Sequence, residues 1–166
     1  MIRTINKMTA PLARRVNLMV SRGVLALVND AAKMQGVQVK LLSGEVRDME
    51  RVQNYGFTSH PHAGAEVAVV FVGGNRDHGL VLAVDDRRYR VKGLQGGEVG
   101  IYDDLGHRIT LTRTGIVIDG ATHPLNIVNC PQVIVTDGDV IADGISLKTH
   151  KHGGVQYGTA QTDVPV

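Results

Sequence analysis

Hydrophobic and polar positions change their period along this chain. At the start, Leu12, Val16, Met19 and Val20 fall on one helical stripe, with Arg14, Arg15 and Asn17 mostly off it. Thr9 can cap and Pro11 can sit in the first turn, so a short helical lead-in is expected over residues 1–20. Its stripe is expected to dock on a neighbour rather than enter a membrane. From Ser21 the period shortens to that of strands. Residues 23–28 form an apolar run closed by Asn29-Asp30, and Val37, Val39 and Leu41 alternate with polar neighbours. Residues 66–72 are Val-rich and end at Gly73-Gly74-Asn75, and residues 80–84 end at Asp85-Asp86. Four or five short strands with such turns predict a small β-barrel. A five-stranded barrel of the OB type has this size, though propensity does not separate it from other small barrels. Gly93, Gly96, Gly97 and Gly100 mark a joint over residues 91–100.

Beyond the joint, aliphatic pairs recur at i, i+2: Ile109/Leu111, Ile116/Ile118, Leu125/Ile127, Val133/Val135 and Ile145/Leu147. Gly115, Asp119-Gly120, Asn129, Asp137-Gly138 and Asp143-Gly144 separate them as turns. Each pair gives a strand one narrow apolar stripe, too thin for a globular core. Such a segment cannot easily fold alone. A β-solenoid or a multi-chain β-prism solves the problem by stacking, with Ile and Val filling a threefold axis. Thr112, Arg113, Asn126 and Lys148 would then cover the outside.

Composition narrows the reading. Hydrophobic residues are 43% of 166, and aromatics only 4% with no Trp, so the core must be aliphatic. Twenty glycines, well above the usual ~7%, suit many short strands and turns. A net charge of +2 gives no basic field for nucleic acid or acidic lipid. No apolar run is long enough for a transmembrane helix, and no leader-type h-region follows Met1. The single Cys130 excludes an intrachain disulfide and a multi-Cys zinc site. Synthesis in a reducing cytoplasm is expected.

The sharpest chemical signal is His150-Lys151-His152-Gly153-Gly154. In an extended strand, residues i and i+2 share a side, so His150 and His152 could hold one metal together. Two ligands are too few, but closed threefold symmetry would bring six imidazoles to one point. Six nitrogens imply an octahedral site. That suits iron(II), or nickel or cobalt, better than zinc, which usually takes four ligands. Strict alternation from Ile145 and Leu147 would send Thr149 and Lys151 inward, so a bulge or bend is expected before His150.

Other candidates are weaker. His60-Pro61-His62 reads as a surface loop because Pro61 breaks strand regularity. Ser59 with His60, and Asp77 with His78, lack the companions of a hydrolase site. Asp137-Gly138-Asp139 is explained by turn chemistry more simply than by calcium. Arg87-Arg88-Tyr89-Arg90 is thin support for nucleic acid. Cys130 reads as a small buried hydrophobe.

Three stretches resemble the baseplate-spike family of contractile-tailed phages, the Mu-like baseplate assembly protein V group. They are residues 22–30 (RGVLALVND), residues 55–90 with YGFTSHP, FVGG and VDDRRYR, and residues 150–155 (HKHGGV) with Thr162 and Pro165. The resemblance covers most of the chain. It implies an all-β homotrimer: a lead-in over 1–20, an OB-like domain over 21–92, an intertwined triple-stranded β-helix shaft over 93–148, and a metal-binding tip with a fold-back tail over 149–166. It implies one iron per trimer, held by His150 and His152 of each chain, and allows calcium or chloride in the shaft without assigning residues. The lysozyme domain that some larger spikes carry is not expected. The expected partners are tail hub and baseplate proteins and the host outer membrane, not nucleic acid. The expected place is the virion baseplate tip, and the expected action is mechanical piercing with no catalysis. A hub adaptor without piercing, an OB-type nucleic-acid module and a His60/His62 metal hydrolase are the alternatives.

Overall fold

The computed structural model describes residues 2–154 and 158 of the chain. Two compact units are present, Met1–His123 and Pro124–Val166. Most of the expected fold-back tail lies outside the described residues.

In the first unit, helix α1 spans Ile2–Asn17. It starts upstream of the expected cap at Thr9, and Pro11 lies inside it rather than in its first turn. Residues 2–10 contain no Gly or Pro, so the helix runs through Pro11 and forfeits one backbone bond there. Met8, Leu12 and Val16 are exposed along α1, whereas Met19 and Val20 fall beyond its end. The last turn presses on a 3-10 turn at Val72–Gly74. A Cβ on Gly74, whose φ is +71°, would stand 2.5 Å from the Arg15 carbonyl oxygen.

Five strands follow: β1 (Val20–Asn29), β2 (Gln35–Leu41), β3 (Val46–Arg51), β4 (Glu66–Phe71) and β5 (Gly79–Asp85). They close a barrel in the order β1-β2-β3-β5-β4. All neighbours are antiparallel except β3 and β5, which pair in parallel over Glu50↔Leu80 and Arg51↔Val81 alone. The alternation seen in sequence decides which residues enter. Val37, Val39 and Leu41 from β2, and Val67, Val69 and Phe71 from β4, pack with Leu25, Met49, Ala65 and Val81. Register shifts between Leu25 and Leu27 and between Ala68 and Val69 bend the sheet toward closure. Gly23 lets β1 and β2 approach: a Cβ there would meet Val39 Cγ1 at 2.5 Å and the Lys40 carbonyl at 2.8 Å.

The sequence places four of these strands and misses the position of β3. Only Met49 of Val46–Arg51 is buried, and four of its six residues are charged, so no alternation shows. Buried Gln35 ties the long loop after β3 to the barrel. Its amide donates to Asp30 Oδ1 (2.6 Å) and the Ser59 carbonyl (3.0 Å), and its oxygen accepts from Arg51 (2.8 Å). Arg51 also donates to the carbonyl and hydroxyl of Ser59, each at 2.8 Å.

A three-stranded meander completes this unit: β6 (Val99–Tyr102), β7 (Arg108–Leu111) and β8 (Ile116–Asp119). β6 starts inside the segment expected as a joint, since Val99 and Ile101 flank Gly100 with the spacing of a strand stripe. Val99 pairs with Leu111 and Leu111 with Ile116; Ile101 pairs with Ile109 and Ile109 with Ile118. These six aliphatic side chains form a two-by-three grid on one face. They are 42–71% exposed.

The second unit contains one hairpin among its described residues, β9 (Ile141–Ala142) and β10 (Ile145–Ser146). Asp143 and Gly144 turn it with φ of +48° and +82°, the two positive values of a type I′ turn. Leu125, Ile127, Val133 and Val135 are exposed and form no strand within the chain. Cys130, expected buried, is exposed, and its thiol lies 2.9 Å from the Gln132 carbonyl. The aliphatic residues around it are also exposed, so this segment makes no interior for it.

Candidate functional site

The histidine pair follows the β9–β10 hairpin. Strand alternation stops at Ser146, and residues 147–149 form a turn closed by the His150 N–H to the Ser146 carbonyl at 3.1 Å. The change of register expected before His150 is therefore a bend. The two imidazole rings lie 5.0 Å apart, centre to centre, at 82°. His150 Nδ1 is 2.8 Å from the Ser146 carbonyl and 3.2 Å from that of Leu147. A carbonyl only accepts, so Nδ1 carries the hydrogen, and in the neutral ring the lone pair then falls to Nε2. That is the state a metal-binding imidazole needs. Both rings are exposed.

Asp139 braces the turn. Its Oδ1 accepts the Val140 N–H (2.8 Å) and the Lys148 N–H (3.1 Å), and its Oδ2 accepts the Ser146 hydroxyl. The Ser146 hydroxyl, with those backbone donors, holds the Asp139 carboxyl below its ordinary range. Hairpin chemistry thus occupies Asp139. Among the described residues, no three His, Cys, Asp or Glu gather as a metal would require within one chain. The residues present fit a metal only as a two-ligand contribution.

The other histidines are placed differently. His60 and His62 lie in the irregular segment after β3, as the loop reading expected. His62 Nε2 meets Asp104 Oδ2 at 3.0 Å, and its ring packs on Tyr89 at 5.5 Å. These two histidines share a shallow cleft of about 420 Å3 with Asp85, Asp86, Asp103 and Asp104. A further cluster has no sequence signal. His107 Nδ1 donates to Asp103 Oδ2 at 2.6 Å, and His107 Nε2 lies 3.0 Å from His123 Nδ1. The partners are 4 and 16 residues apart and meet only because the meander folds them together. Among the described residues, no helix is long and apolar enough to cross a membrane.

A closed five-stranded barrel, then a meander with an uncovered aliphatic face, then a hairpin followed by two neighbouring histidines define a modular β-protein. Comparison with known proteins gives this class its relatives. Residues 22–88 match the family described as Bacteriophage Mu Gp45, N-terminal, and residues 144–166 match the GpV Apex motif. The chain is 48% identical over 112 residues to the baseplate puncturing device gp45 of Escherichia phage Mu, covering 67% of this chain and 57% of that protein. It is 46% identical over 118 residues to the Mu-like prophage FluMu protein gp45 of Haemophilus influenzae, covering 70% and 64%. These matches make the chain similar to the Mu gp45 baseplate proteins, the group its sequence resemblance pointed to. Its matches span less than two thirds of the length of either relative.

Proposed function

We propose that this chain is a virion structural protein, the central spike at the tip of a contractile-tail baseplate. It works as a homotrimer that sheath contraction drives through the host outer membrane, and its task is mechanical rather than catalytic. The observation that carries this reading is the grid formed by Val99, Ile101, Ile109, Leu111, Ile116 and Ile118. Fully burying such a side chain is worth about 1.5–3 kcal/mol. Covering these half-exposed ones adds roughly 1 kcal/mol each on that scale. Copies of the same chain can cover one another's grids around a threefold axis. The exposed pairs Leu125/Ile127 and Val133/Val135 would then find strand partners on neighbouring chains, forming the intertwined shaft. The similarity to a relative named a baseplate puncturing device supports the same reading. The barrel, with the strand order 1-2-3-5-4 and one parallel pair, is the OB-like end that docks on the tail hub.

In the second unit, His150 and His152 of each chain would together hold one iron. Bound there, the metal crosslinks the chains and opposes fraying at the point. Each chain supplies two imidazoles, and the Ser146 carbonyl beside His150 Nδ1 directs Nε2 outward as the ligating nitrogen. Native mass spectrometry with elemental analysis of the same sample tests both parts. A trimer with one iron is expected. A monomer overturns the spike, and a metal-free trimer that refuses added iron(II) overturns the tip site.

A further inference from the structure

We propose that Asp139 is a positioning residue for His150, acting through Ser146 to hold the imidazole as its Nδ1–H tautomer with Nε2 left to bind metal. This rests on the reading of the tip as a metal site. It adds a residue five positions before the matched apex segment begins at residue 144.

The argument follows the direction of the hydrogen bonds. The Asp139 carboxylate can only accept, so the Ser146 hydroxyl donates to it. The Ser146 oxygen is then free to accept, and it takes both the backbone N–H and the hydroxyl of Thr149, each at 2.8 Å. Asp139 Oδ1 meanwhile holds the Lys148 N–H at 3.1 Å. Residues 146, 148 and 149 are thus tied to one carboxylate, directly or through one hydroxyl. They form the turn that brings His150 back over the Ser146 carbonyl. That carbonyl receives both the backbone N–H of His150 at 3.1 Å and its Nδ1 at 2.8 Å. Ser146 therefore joins two functions in one residue: its side chain fixes the turn, and its carbonyl selects the tautomer. The hairpin has only two residues in each strand. So short a ladder holds little by itself, and the carboxylate supplies the bracing it lacks. Outer partners of this kind commonly change metal affinity by about 10–100-fold.

The experiment uses the full chain with Asp139→Ala, Ser146→Ala, Ser146→Thr and Asp139→Asn. Long-range proton–nitrogen NMR of chelator-treated protein reads the His150 tautomer, and release of iron(II) to a competing chelator reads the loaded site. Wild type and Ser146→Thr, which keeps the hydroxyl, are expected to show the Nδ1–H tautomer. Asp139→Ala and Ser146→Ala are expected to show a tautomer mixture and to release iron about tenfold faster or more. Asp139→Asn keeps an oxygen for the two backbone donors and should fall between. An Nε2–H tautomer in wild type overturns the proposal, as does an Asp139→Ala protein with wild-type tautomer and release rate. If wild type takes up no iron while its tautomer still depends on Asp139, the positioning stands and the metal reading falls.

Discussion

Gly23 shows how one missing side chain sets a fold. Its Cα faces Val39 and the Lys40 carbonyl across the β1–β2 ladder, and the carbonyl cannot rotate away as a side chain can. Gly23→Ala is expected to lower stability by about 1–3 kcal/mol, read as a lower thermal midpoint. Gln35 is the polar counterpart. Replacing it by Ala leaves Asp30, the Ser59 carbonyl and Arg51 each short of one partner. A loss of about 1–3 kcal/mol should appear together with faster proteolysis of the loop after β3. At this scale the sequence is legible where chemistry is local. His150 and His152 announce themselves by spacing, and Asp143-Gly144 by turn type. Asp139, seven residues before Ser146, and the Asp103–His107–His123 chain do not, because hairpin and meander registers bring them together.

Among the elements, the meander is where local sequence and folded environment disagree. Its strands pair correctly within the chain, yet their better apolar face is left in water. Ile101→Glu places a charge in that grid, where burial without a partner is costly. The barrel should keep its β-sheet circular dichroism, while the proposed trimer dissociates at concentrations about tenfold or more above those that dissociate the wild type. An unchanged trimer would show that another surface holds the chains. The strands legible in sequence are those whose alternation coincides with burial in one chain, such as Val37/Val39/Leu41 and Val67/Val69/Phe71. β3 is hidden by its charges. Leu125/Ile127 and Val133/Val135 carry the pattern without a ladder among the described residues, so alternation alone does not make a strand there.

Taken over the whole molecule, stability against acid follows from carboxylates held by fixed donors. Arg76, with Arg47, keeps the Glu45 carboxyl below its ordinary range, and Arg88 does the same for Asp86. The Ala121 N–H, with Arg108, does so for Asp119. Each is depressed on folding, so its contribution is complete above the unfolded value and is lost as pH falls through the folded one. Thermal stability is expected to be flat near neutrality and to decline below about pH 4. Glu45→Gln should shallow that decline in a pH series of melting curves. The barrel also has a seam of a different kind. Its antiparallel ladders run five or more residue pairs each, but β3 and β5 meet over only two. A cylinder closed by so brief a clasp resembles a rolled ribbon, whose weakest backbone line is this one. Amide exchange at that line should outpace exchange in β2 and β4. A docking partner that bridged the line would act as a band around the roll, stiffening the barrel before any load reached it.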